Sequence, residues 1–203
     1  MKTAAFYSLH LFLMIKSFSF FRKDRFSNSG GLVVYCKNNL NSSRKIDLKS
    51  ELVESICLEF KFQYSKPLLI YYTYRPPLSN VEWLTHFVDC LEKSHTESKE
   101  TIALGDVNFN LLKPISCSNA WIQTMDNFSQ FSRLVDKPTG ISTNTSTLID
   151  HVFTNYLNNT SVPCYAISDH LPVALTRIAN SHVSKKNQGH NYIYHRSIKQ
   201  FHG

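Results

Sequence analysis

The chain has 203 residues, 42% of them apolar and 13% aromatic, which suits one domain with a full core and excludes a disordered chain. Lys and Arg number 22 against 15 Asp and Glu, a formal charge of +7 that favours a polyanionic partner without establishing one. Cys36, Cys57, Cys90, Cys117 and Cys164 form no C-x-x-C pair and no zinc spacing, and their odd number argues for a reducing compartment rather than a disulfide framework.

The N-terminus, "MKTAAFYSLHLFLMIKSFSFF", has the length of a secretory signal. His10 inside the run, Lys16 after it and the lack of a small-x-small cleavage site argue against one. The run is also too short and too interrupted to span a bilayer. A monomer of the nucleus or cytoplasm, off the membrane and not secreted, is expected.

Further on, Gly30-Gly31 precedes "LVVYCK", a strand after a turn. "SICLEFKF" sets Ile56, Leu58, Phe60 and Phe62 against Cys57, Glu59 and Lys61, the pattern of a half-buried strand. "PLLIYYTY" is a continuous apolar run that stops at Arg75-Pro76-Pro77, as a central strand would. "NVEWLTHFVDCLEKS" carries Val81, Leu84, Phe87, Val88 and Leu91 at helical spacing, with Asn80 as a cap. "TIALGD" reads as a strand buried on both faces, and "AWIQTMDNFSQF" as a short helix before "SRLVD". "TLIDHVFTN" and "CYAISDHLPVALTRI" are late strand regions, each with a polar break. Residues 179–203 are polar and basic without a period, a linker or tail. Strands alternating with a few helices indicate an α/β protein whose helices cover its sheets.

The polar strand ends carry the chemistry. In "LGDVNFNLL", period two places Asp106 and Asn108 on one side at a strand's carboxyl end, where pockets of open sheets form. An ordinary turn uses the same residues. Asp169 and His170 close another apolar run, and a carboxylate beside an imidazole can bind a metal or move a proton near neutral pH. Asp150 lies among Leu148, Ile149, Val152 and Phe153, where a carboxylate needs a partner, and a histidine would serve. His151 alternates with it, points away and is given a structural role. Tyr74 ends a further strand beside Arg75, the expected substrate-binding cation; a core tyrosine at a sheet edge is the other reading of Tyr74. Together these groups suit attack of an activated water on a phosphodiester. Asp106 would position or deprotonate the water, and Asn108 would hold a non-bridging oxygen or orient Asp106. His170, paired with Asp150, would stabilise the growing charge, and Asp169 would help hold a divalent metal.

"RKDR…GGLVVYCKNNL", "ESICLEF", "YRPP", "LGDVNFNLL", "TLIDHVFTN" and "ISDHLPV" follow one another from Arg22 to Val173. In that order and spacing the chain resembles the endonuclease/exonuclease/phosphatase superfamily of DNase I, the apurinic/apyrimidinic endonucleases and the inositol polyphosphate 5-phosphatases. Within it the likeness is to the endonuclease domain of LINE-type non-LTR retrotransposons, and "YHRSIKQF" is similar to the linker before their reverse transcriptase. The resemblance implies a DNase I-like four-layer α/β sandwich, two mixed β-sheets flanked by helices, over residues 22–178. An atypical apolar segment, 1–21, precedes it and the tail, 179–203, follows. DNA is the implied substrate, Mg²⁺ or Mn²⁺ the implied cofactor, and fusion to a reverse transcriptase the implied origin. By family role Tyr74 and His170 contact the scissile phosphate, Asp106 activates water with Asn108 beside it, Asp150 orients His170, and Asp169 sits at the metal.

The departures shape the expectation of activity. Family members begin with a strand ending in Asn and a second ending in a metal-binding Glu. Residues 1–20 contain no Asn, Asp or Glu, so the first strands and the principal metal ligand are expected to be missing. Val107 stands where Phe or Leu is usual. Weak metal binding follows, and with it nicking of plasmid DNA no faster than by a His170→Ala variant, unless Glu54 or Glu59 takes over the metal. A catalytically dead remnant that binds nucleic acid, and a phosphoinositide or lipid phosphatase, are the alternatives.

Overall fold

The computed structural model describes residues 17–25, 31–77, 79–80, 82–127, 131–156, 158–163 and 168–177. The apolar segment up to residue 16, the tail 179–203, Gly30, Val81 and Cys164 lie outside the described residues.

A six-stranded mixed sheet is the centre of the molecule. Its strands are β3 (Ser42–Arg44), β4 (Glu54–Phe60), β5 (Leu68–Tyr74), β6 (Glu100–Asp106), β7 (Ser132–Arg133) and β10 (Asp150–Thr154), in the order β3-β4-β5-β6-β10-β7. Only β5 and β6 are parallel, and α1 (Glu82–Thr96) links them, as a parallel connection requires. A second helix, α2 (Ser116–Asn127), follows β6. Among the described residues three antiparallel pairs complete the set: β1 (Phe18–Asp24) with β2 (Gly31–Lys37), β8 (Gly140–Ile141) with β9 (Ser146–Thr147), and β11 (Asn158–Ser161) with β12 (Ala174–Arg177), each called a hairpin below. β1 crosses the boundary expected at residues 21 and 22.

The alternation of side chains along each strand divides two cores. Leu69, Tyr71, Ala103 and Phe153 face α1 and α2, meeting Trp83, Phe87, Leu91, Trp121 and Met125. Ile56, Leu58, Leu68, Ile102 and Val152 face the hairpin side, with Val34 and Cys36 of β2 and Leu175 of β12. The chain is thus a mixed α/β protein with a helix-flanked mixed sheet. Among the described residues the second sheet of the expected sandwich is represented by the β1–β2 and β11–β12 hairpins, and both helices lie on the other face.

Two expected patterns change. β4 is buried on both faces rather than one, because α1 covers the side that the sequence leaves polar; even Glu59 is 6% exposed, held by Lys99. The buried stripe of α1 is Trp83, Phe87, Cys90, Leu91 and Ser94, while Leu84 and Val88 are only partly covered. Trp83 stacks on Phe87 at 5.1 Å, and the area of the indole outweighs the aliphatic stripe in setting the rotation of the helix. At its start the Asn80 amide donates to the Glu82 carboxylate, 2.9 Å away.

Candidate active site

The peculiar stretch at the end of β6 is explained by a close approach. Gly105 has φ +144°, and a Cβ there would lie 1.8 Å from the Thr73 carbonyl oxygen of β5. Only glycine lets the two parallel strands run together to their ends. Immediately beyond, Asn108 adopts φ 53°, a left-handed conformation that Asn tolerates. Its backbone N–H donates to Asp106 Oδ1 at 3.0 Å, and its Nδ2 donates to the Arg75 carbonyl at 2.8 Å. Val107 and Phe109 sink into the helix-side core at 2% and 6% exposure. The apolar residues therefore anchor the loop, and the polar ones between them stay at the end of the sheet.

Register then assembles the site. Glu54 pairs with Tyr74, Tyr74 with Asp106, and Asp106 with Asp150, one row across four strands. Neighbours in such a row point to one face about 4.8 Å apart. That face is the hairpin side, at the carboxyl ends of β5 and β6. His170 joins the row through Nδ1, 2.8 Å from Asp150 Oδ2.

A loop that sequence reading passed over supports this pair. The Thr139 hydroxyl accepts the N–H of Asp150 at 3.0 Å and of Ile149 at 3.3 Å. Its carbonyl accepts the N–H of Leu171, Gly140 bridges to His170, and Ile141 N–H donates to the Asp169 carbonyl. Thr139 is fully buried. Its signal, Pro-Thr-Gly, is that of any turn.

The charges in the row are unevenly matched. Burial, then the negative charge of Asp150, pushes the Asp106 carboxyl above its ordinary value, although the Asn108 N–H and His170 act against this. For His170, burial disfavours the cation, but the Asp150 hydrogen bond and the charges of Asp150, Asp106 and Asp169 outweigh it and raise the imidazole. The site thus favours a basic carboxylate beside an imidazolium. Asp169 is exposed next to His170.

Two expected residues are placed elsewhere. Arg75 turns to the other face of the sheet, 7% exposed, with its guanidinium 4.1 Å from the Phe109 ring and donating to Ser79 O at 2.8 Å. Its side chain is not brought to the row; its backbone contributes there through the carbonyl that holds Asn108 and the N–H that donates to the Asp106 carbonyl at 2.9 Å. Glu59 lies at the opposite end of β4, paired with Lys99, and cannot replace a ligand at this site. Glu54 does lie in the row, but its carboxylate receives Arg25 through Nε at 2.8 Å and Nη2 at 3.1 Å. The same guanidinium lies 4.6 Å from the centre of the Tyr74 ring. His151 faces the helix side, accepts the Trp121 indole N–H on Nδ1 at 3.0 Å and donates from Nε2 to Phe109 O at 3.0 Å. Burial lowers it to about 4, so it stays neutral and ties the Asn108 loop to α2.

No protein-family model matches the sequence, and no curated protein matches it. Solved structures do match in shape. The endonuclease domain of TRAS1, a telomere-specific non-LTR retrotransposon, has a TM-score of 0.61 at 12% identity, over 79% of this chain and 80% of that one. The Haemophilus ducreyi cytolethal distending toxin gives 0.53 at 9% identity, over 79% and 68%. The catalytic domain of Xenopus laevis APE2 gives 0.51 at 15% identity, over 78% and 74%. The chain has the DNase I-like fold of the endonuclease/exonuclease/phosphatase proteins.

Proposed function

We propose that the row is a phosphodiester site of the endonuclease type, acting on DNA, that binds its substrate well and hydrolyses it weakly. The observation that supports this most is the Asp150–His170 pair standing one strand from Asp106. With Nδ1 committed to Asp150, the other ring nitrogen of the imidazolium is left to donate to a phosphoryl oxygen. The Tyr74 hydroxyl, in the same row, can donate to a second oxygen. Asp106, made more basic by burial, is suited to take a proton from an attacking water, and Asn108 fixes the orientation of that carboxylate.

The fold family implies Mg²⁺ or Mn²⁺, and the carboxylates do not fit a tightly held ion. Among the described residues no three His, Cys, Asp or Glu side chains gather as ligands of one ion. Asp106 accepts the Asn108 N–H, Asp150 holds His170, and Glu54 holds Arg25. Asp169, the expected metal ligand, has its carboxylate at the surface. The proton transfer and hydrogen bonds above then hold the phosphodiester but hydrolyse it at a rate close to background.

The test is paired. Binding of a fluorescein-labelled DNA duplex, followed by anisotropy at low salt, should weaken about tenfold in His170→Ala, the loss of one charge-assisted bond. Nicking of supercoiled plasmid in Mg²⁺ should differ less than twofold between the two proteins. DNA binding that ignores the substitution would remove His170 from the site. Rapid Mg²⁺-dependent nicking that the substitution abolishes would mean a full endonuclease.

A further inference from the structure

The cation on Glu54 comes from outside the sheet. Arg25 follows β1 in the hairpin layer, and its guanidinium reaches the row at Glu54 and Tyr74. Bidentate pairing with Glu54 uses two of the five guanidinium N–H bonds and Tyr74 engages another, which leaves at most two for a further acceptor. The side chain keeps 28% of its surface exposed, whereas Glu54 keeps 11%, so the open part of the pair is the cation. Arg25 stands at one end of the row and His170 at the other, with the Tyr74 and Asp106 strands between them. Three spacings of about 4.8 Å put the two ends roughly 14 Å apart, so the two cations would meet different phosphates of one strand rather than flank a single one. Arg favours such planar, two-pronged recognition and stacks on aromatic rings, and both features are present here.

We infer that Arg25 is a phosphate-binding cation of this site, held in place by Glu54 and Tyr74, and that it occupies the Glu54 carboxylate, which is then closed to a divalent ion, so that phosphate binding needs no metal. The inference rests on the reading of the row as a phosphodiester site. It adds a specific consequence: guanidinium and divalent ion compete for one carboxylate.

Two readouts on the full chain test it, neither of them hydrolysis. The labelled DNA duplex should bind equally in EDTA and in Mg²⁺. Arg25→Ala should weaken it at least tenfold and lower the slope of log affinity against log salt by about one, the signature of one lost phosphate contact. Arg25→Lys keeps the charge and should still weaken it several-fold, since an ammonium cannot hold both Glu54 oxygens and a phosphate. Mn²⁺ binding, followed by its electron paramagnetic resonance signal, should be weak in the parent and at least threefold tighter in Arg25→Ala. Adding Glu54→Gln should reverse that gain. DNA binding abolished by EDTA, affinity unchanged in Arg25→Lys, or Mn²⁺ affinity unchanged in Arg25→Ala would each overturn the inference. The Mn²⁺ arm does not involve His170, so it decides on Arg25 even if His170 proves irrelevant to DNA.

Discussion

The two ends of the central sheet carry similar residues and treat them in opposite ways. At the end where β6 begins, carboxylates meet cations. Glu59 and Glu97 share Lys99, Lys45 bridges Glu97 and Asp47, and Arg177 holds Glu100. There Lys99 holds the Glu59 carboxyl below its ordinary value, against the effect of burial. At the end where β6 stops, Asp106 and Asp150 stand side by side and burial pushes Asp106 the other way. At the first end each of these carboxylates has a cation on it; at the second Glu54 and Asp150 have theirs, and Asp106 is held against burial and the like charge of Asp150. Groups held against the preference of the fold are the ones positioned to act on something else.

The hardest way to break this contrast is to separate the strands that present the row. Gly105→Ala places a methyl group inside the Thr73 carbonyl and is expected to remove about 3 kcal/mol or more of stability. Thermal unfolding by circular dichroism should show a large drop in midpoint or no folded protein. A midpoint near that of the parent would mean that β5 and β6 separate at their ends.

A smaller effect is expected at the far end. Glu59→Gln leaves Lys99 without its buried partner and should cost about 2 kcal/mol, less than for a fully buried pair because Lys99 reaches solvent. The folded value of Glu59 is depressed. Its contribution is therefore present above the unfolded carboxylate value and lost as pH falls through the folded one. Parent and variant should converge in stability in acid and differ most near neutrality. A difference that is constant with pH would exclude this ion pair as its source.

The smallest effect has the opposite sign. Asp106 has a raised folded value, so its favourable contribution is present below the unfolded value and lost as pH rises through the folded one. At pH 7 its charge opposes folding. Asp106→Asn keeps an oxygen for the Asn108 N–H and removes the charge. The midpoint should rise by roughly 2–4 °C for each kcal/mol gained, with loss of any residual nicking. A lower midpoint would show that the carboxylate is stabilised where it stands.

What the sequence revealed of this contrast follows from range. Asp106, Asn108, Asp150 and His170 are legible because each interrupts an apolar run, a local signal. Tyr74 is legible because its strand stops at Pro76 and Pro77. Arg25, Glu54 and Thr139 are not, because their roles depend on pairing partners 29, 20 or 11 residues away or further. Nothing local distinguishes Glu54 from Glu59; one register row puts them at opposite ends of β4. Arg75 misleads for a related reason. It neighbours Tyr74 in sequence, and strand alternation sends the two to opposite faces. The rotation of α1 was hidden because Trp83 and Cys90 lie off the expected stripe and are more deeply buried than its members Leu84 and Val88.

The glycine at the end of β6 also has a meaning in genetic time. Any change at the first two positions of its codon installs a side chain against Thr73, so most point mutations there act on the whole sheet at once. A surface codon such as that of Tyr64, 70% exposed, absorbs nearly all of its changes. Copies of this sequence drifting free of selection would fill both codons with substitutions at similar rates. Copies kept for their folded product would show changes at residue 64 and none at residue 105. The ratio between the two positions therefore tells whether the folded product is in use.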